Sequence, residues 1–357
     1  MFDYNVEFAS GIGLWCMLAA IAILVIVAVI RGQRSTPFMY MAPEFTSSCK
    51  GIAALGILFS HFLIHSDGPD RLLQLFVLLG AYGVTVFLFI SGYIETMLMD
   101  KRGESYYNNF FVKKVVRIYI PWVISLIVLV VLFHISDVVK ILKGVFLFNT
   151  IYRENTYNWF VIYILYMYFS LFVWKYLRKN FNNSKKSYLI YIFIVSLVWL
   201  TICLLTGRKS NWYYNSFSFF LGCTFSAYKN QLEDFIFKKR WILWAMLIVY
   251  VIYRGALFVK FNGTLYNMWI MYSSLVICTF LFVFALKHTL YSKVLSFVGD
   301  ISLEVFFYGT AIFLWIYNVL KVKATAPSLI IVFVVLFVIS KLSSILAGKI
   351  SSLIIKK

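Results

Sequence analysis

The sequence predicts an all-α membrane protein, a polytopic helical bundle of about ten to eleven transmembrane helices. Three observations carry that prediction. Of 357 residues, 62% are apolar and only 13% charged, against about 45–50% and about 25% in a soluble domain. Every globular fold has a large polar shell to cover, and this chain lacks the residues for one. The apolar residues also gather into eleven runs, at 12–30, 51–65, 73–97, 118–138, 158–174, 187–206, 212–228, 241–259, 265–286, 301–320 and 328–348. Most are long enough to cross about 30 Å of hydrocarbon. Finally, no run alternates apolar and polar residues as the strands of a membrane barrel do. A soluble enzyme, a disordered chain, a disulfide scaffold and a nucleic-acid binder are thereby excluded.

The first run is preceded by Asp3 and Glu7 and followed by Arg31 and Arg34. That is the reverse of a secretory signal, so it reads as a span with its amino terminus outside. The run at 51–65 is short, and 212–228 is rich in polar and small residues. With the amino terminus outside, 22 Lys and Arg fall in inner loops and 9 in outer ones, while Arg254 and Lys341 lie within spans. This matches the positive-inside rule, so the net charge of +19 is mostly topogenic. No loop leaves room for a separate soluble domain. The five cysteines (16, 49, 203, 223 and 278) show no metal-ligand spacing and read as apolar packers.

Ionisable groups inside a bilayer cost about 2.5–3.5 kcal/mol on insertion scales, so each needs a reason. Lys50 and His61 are eleven residues apart, which puts them on one helix face about 16 Å apart. Gly51, Ala53, Ala54 and Gly56 keep the helix narrow between them. Lys50 is expected at the inner mouth and His61 near the midplane. Thr46, Ser47 and Ser48 read as N-caps, giving Lys50 a helix dipole to share in an anion site. A lysine snorkelling to the interface explains Lys50 equally. For His61 a functional role outweighs a simple hydrogen bond to neighbouring backbone. His65, His134 and His288 read as residues near span ends.

Lys113, Lys114 and Arg117 form a basic cluster before Pro121. It suits a stop-transfer anchor and a phosphate patch alike. Ser91 and Glu95 close the span at 73–97 on the same side. Asp300 or Ser302 reads as the cap of the span at 301–320, with Glu304 in its first turn. A basic mouth above a buried base describes a site that receives an anionic donor and performs proton transfer.

These residues resemble the acyltransferase-3 family of integral membrane O-acyltransferases. Four elements in order are similar to the family's: Lys50 with its ten-residue gap to His61; Phe87 to Tyr93; Phe110 or Phe111 through Pro121; and Gly299 through Phe306. Asn158-Trp159-Phe160 and the stretch from Phe217 to Gly222 are weaker echoes. The chain departs from the family in having Lys50 where Arg is commoner. It also lacks the late His, its sequence there being Phe306-Phe307-Tyr308-Gly309, and it carries an extra first span.

The resemblance implies an extra amino-terminal helix and linker over 1–45 and an acyltransferase domain over 46–357, in the bacterial cytoplasmic (inner) membrane. It implies acyl transfer from cytoplasmic acyl-CoA, most commonly acetyl-CoA, to a hydroxyl of a cell-surface polysaccharide. His61 and Glu304 would be catalytic, with His61 a general base or acyl relay. Lys50, Lys113, Lys114, Arg117, Ser91 and Glu95 would bind substrate. No metal and no bound cofactor is expected. Expected partners are the lipid bilayer, the glycan, acyl-CoA, and a second copy or glycan-assembly proteins; nucleic acid is not among them. The rival is a polysaccharide or lipid-linked sugar transporter, which should show paired helix interruptions in two halves; the five prolines do not pair that way.

Overall fold

The computed structural model describes residues 6, 11–32, 40–67, 70–148, 158–180, 184–257 and 263–355. Arg34, Arg153, Lys260, Lys356 and Lys357 of the topological tally lie outside them. Fifteen α-helices occur among the described residues. They are α1 (Ile12–Ile30), α2 (Pro43–Ile64), α3 (Arg71–Gln74), α4 (Leu79–Arg102) and α5 (Phe110–Leu132). Then come α6 (Val138–Val145), α7 (Asn158–Leu177), α8 (Lys185–Leu205), α9 (Ser218–Ala227) and α10 (Lys229–Lys238). The last five are α11 (Trp241–Leu257), α12 (Thr264–Lys287), α13 (Lys293–Asp300), α14 (Ser302–Leu314) and α15 (Ala326–Ile354). Nine segments are long and apolar enough to span a membrane, and α9 and α11 are shorter apolar helices. Together they account for all eleven predicted runs. The one β feature among the described residues is an isolated bridge between Val6 and Ser66.

The bundle has a clear centre and periphery. Within their spans, 72% of the α2 window and 78% of the α14 window are buried, against 22% for α1 and 28% for α15. The outer helices turn Ile, Leu, Val and Phe side chains outward, as lipid-facing surfaces do.

Close helix approach rests on two reciprocal glycine contacts. A Cβ on Gly92 would lie 2.1 Å from the Phe219 carbonyl oxygen, and one on Gly222 would lie 2.1 Å from that of Phe89. Gly51 and Gly299 do the same between α2 and α13, at 2.0 Å from the Leu295 oxygen and 1.9 Å from the Ser47 oxygen. Only a residue without a side chain permits either approach. A buried polar knot adds to this at the far side of α4. The Thr85 hydroxyl donates to Asn215 Oδ1 at 2.7 Å and lies 3.0 Å from Ser274 Oγ.

Two predicted starts are corrected. α2 begins at Pro43, eight residues before the apolar run, with Pro in its first turn and Ala42 as N-cap. Thr46, Ser47 and Ser48 are therefore inside the helix and cap nothing. Thr46 donates back to the Ala42 and Pro43 carbonyls, Ser47 donates to Asp300 at 2.9 Å, and Ser48 lies 3.1 Å from Ser296 Oγ. Hydropathy rejected these residues, but contacts within the chain satisfy them. Likewise α5 begins at Phe110, which makes Pro121 an interior residue. Its missing N–H removes the intrahelical partner of the Arg117 carbonyl.

Neither Asp300 nor Ser302 caps α14. Asp300 ends α13, Ser302 opens α14, and the single residue Ile301 between them is an N-cap without a side-chain bond. The two helices follow each other too closely for a chain entry that a cap would serve. Glu304 lies in the first turn of α14, as expected.

Candidate active site

α2 organises the site. It carries Ser47, Lys50, Ile57 and His61 at spacings of three, seven and four residues, which keeps them on one stripe. The start at Pro43 moves both predicted landmarks deeper. Lys50 lies two turns inside the helix, about 10 Å from its inner end, and His61 lies within about 5 Å of its outer end. Along α2 itself, His61 therefore sits in the last turn.

The first three residues of the stripe line a cavity of about 1040 Å³. Pro43, Gly348, Ser351 and Ile355 line it along with the basic cluster, and it runs between α2, α4, α5, α7, α14 and α15. Lys50, Ser91, Glu95, Lys113, Lys114, Arg117 and Glu304 all line it, so the fold gathers seven of the eight predicted site residues around one volume. Its deep wall is apolar, formed by Ile57, Val84, Phe160, Ile164 and Phe306. From Pro43 to Ile57 along α2 is about 21 Å, more than half a bilayer.

His61 is the eighth residue, and it stands one turn beyond Ile57. Its ring lies 6.5 Å from that of Phe306, which in turn lies 5.1 Å from Phe160. The aromatic pair forms the cavity wall on His61's side.

The charges at the mouth differ in standing. Lys114 forms an ion pair with Glu95, and the Tyr106 hydroxyl donates to the other Glu95 oxygen at 2.9 Å. The Lys114 ammonium also sits over the rings of Tyr168 and Phe110, at 5.2 and 5.6 Å. Glu95 is only 4% exposed, so this pair holds α4 to α5 at the cavity wall. Lys50 interacts electrostatically with Arg117, Lys114, Glu95 and Asp300. Ser344 and Glu304 line the cavity together, and Arg117 and Lys341 act electrostatically on Glu304. Lys113 and Arg117 are exposed at the mouth and have no acidic partner within ion-pair distance among the described residues. Four bases thus face three acids around the cavity, and Lys113 and Arg117 are the cations most open to an incoming anion. Ser91 donates its hydroxyl to the Phe87 carbonyl at 2.8 Å within α4.

A family model described as an acyltransferase domain matches residues 47–348. The chain belongs to the acyltransferase-3 family. It is an acyltransferase built on a multi-pass membrane bundle. The matched segment begins at Ser47 and ends at Gly348, both at the cavity wall, and leaves α1 outside. No curated protein and no solved structure gives a significant match to the chain.

Within this acyltransferase the deep aromatic wall had little sequence signal. Phe306 and Phe160 fall in segments similar to the family's, yet in a chain with 20% aromatic residues nothing marks two rings as a boundary. The Ser47–Asp300 bond joins residues 253 positions apart, which no local pattern announces.

Proposed function

We propose that this acyltransferase moves an acyl group, acetyl in the first instance, from cytoplasmic acyl-CoA to a hydroxyl of a cell-surface polysaccharide, in the bacterial cytoplasmic membrane. The observation that carries the proposal is the disposition of cavity and histidine along α2. A basic mouth opens inward, and His61 lies beyond the deep end, close to the outer end of the helix. Donor and acceptor then approach from opposite faces.

Lys50, Lys113 and Arg117 receive the phosphates of the donor, and the acyl thioester points toward Phe306. Arg117 can offer a two-pronged guanidinium to a phosphate, where the lysines offer point charges. At the far end His61 takes the proton of the acceptor hydroxyl as its oxygen attacks the thioester carbonyl. The new C–O bond forms as the C–S bond breaks, and the thiolate of CoA leaves and is protonated. Glu304, in the wall between mouth and histidine, is placed to relay the proton that His61 has taken to the departing thiolate.

The test is His61→Ala in the intact membrane. NMR of the surface glycan should lose its acyl signals while immunoblotting finds the protein in the membrane at the normal level. Acylation that persists in the variant overturns the assignment of His61.

A further inference from the structure

We propose a second binding site, separate from the donor cavity and independent of the acyl-transfer reading: a groove for one anionic phospholipid of the inner leaflet. It lies where the end of α10 meets the start of α11 and the end of α12. The volume is about 210 Å³, and its floor is made by Leu243, Trp244, Leu247, Phe280 and Val283. Arg240 and Lys287 stand at its rim.

The arrangement has the polarity of a lipid. Arg240 and Lys287 occupy one end of the groove, and Leu247 and Phe280 lie seven residues along their respective helices from them. That separation is about 10 Å along antiparallel helices, with cations at the inner interface and apolar walls deeper in the membrane. Both cations face one ring, at 6.0 and 5.1 Å from the centroid of Phe237. Two like charges gathered on one ring repel each other. Neither has an acidic partner within ion-pair distance among the described residues. A phosphate between them relieves that repulsion. Basic pockets between helices at the cytoplasmic side are suited to phospholipid headgroups. Trp244 of the floor is 67% exposed, as suits a tryptophan at the headgroup level.

Free phosphate shares the headgroup chemistry but has no use for the apolar floor. The site is therefore assigned to a lipid.

The experiment is lipid retention read by native mass spectrometry. The full chain is reconstituted into discs of mixed phosphatidylcholine and phosphatidylglycerol, then released into mild detergent. Wild-type protein should retain phosphatidylglycerol in preference to phosphatidylcholine. The double variant Arg240→Gln/Lys287→Gln should lose that preference roughly thirtyfold, the equivalent of about 1 kcal/mol for each cation. Trp244→Ala should weaken retention of both lipids while leaving the preference in place. Excess inorganic phosphate should displace neither lipid. Equal retention by wild type and double variant overturns the site, as does displacement by phosphate. A lipid-free wild-type dimer that the double variant dissolves would assign the groove to a second copy, overturning it as well. If the double variant does not survive extraction, wild-type preference is measured against salt, and a preference that salt leaves unchanged overturns the proposal.

Discussion

The ring of Phe306 packs 6.5 Å from that of His61 and also forms the deep wall of the donor cavity. One side chain thus touches both compartments that the proposed reaction must join. Phe306 is 6% exposed, so its ring fills space rather than facing solvent.

Phe306→Ala should extend the cavity toward His61. The expected outcome is a shift in donor selectivity toward longer acyl groups, by roughly tenfold in relative kcat/KM, at a stability cost of about 3–5 kcal/mol. Competition between acetyl-CoA and a longer acyl-CoA, together with thermal unfolding in detergent, reads both. Unchanged selectivity would mean that the acyl group never reaches this wall.

Arg117→Gln and Lys50→Gln each remove one cation from the cavity. Each should raise the KM for acyl-CoA by roughly tenfold to a hundredfold, from the loss of a charge-assisted contact worth about 1.5–3 kcal/mol. Lys50→Arg keeps the charge and should stay near wild type. Steady-state kinetics on membranes check this, and a fall in kcat with constant KM would speak against a donor-binding role.

The Glu95–Lys114 pair predicts a different signature, because it is structural as well as electrostatic. Glu95→Ala leaves a partly buried lysine and the Tyr106 hydroxyl without their acceptor, at a cost of about 3–5 kcal/mol. Adding Lys114→Ala should recover part of that loss. A double-mutant cycle of unfolding midpoints tests it, and strictly additive losses would deny the coupling.

Gly299→Ala and Gly51→Ala push a methyl group against backbone oxygens at 1.9 and 2.0 Å. Each should force α2 and α13 apart and destabilise the fold by at least about 1–3 kcal/mol. Donor affinity should fall too, because Ser47 and Asp300 at the cavity wall ride on these two helices. Gly348→Ala is the control: a methyl there meets nothing within 4 Å, and within a helix it should stabilise by about 0.5–1 kcal/mol. Unfolding midpoints of the three variants decide it.

Composition and hydropathy alone determined the class, because a bilayer imposes a length and an apolarity on every span whatever its neighbours are. All eleven runs became apolar helices for that reason. The helical repeat also put Lys50 and His61 on one face of α2, since spacing within a helix depends on nothing outside it. Where α2 and α5 begin was not legible. Ser47, Ser48 and Lys50 look unfit for a membrane until α13 and the cavity supply their surroundings. The choice of which cations stand open was likewise tertiary. Lys113, Lys114 and Arg117 are equivalent as letters, and only the tertiary fold brings Glu95 of α4 to Lys114 of α5 and leaves Arg117 lining the cavity. The same holds for the wall between donor and histidine: Phe160 and Phe306 lie 146 residues apart in the chain, and their contact exists only because α7 and α14 enclose the same space.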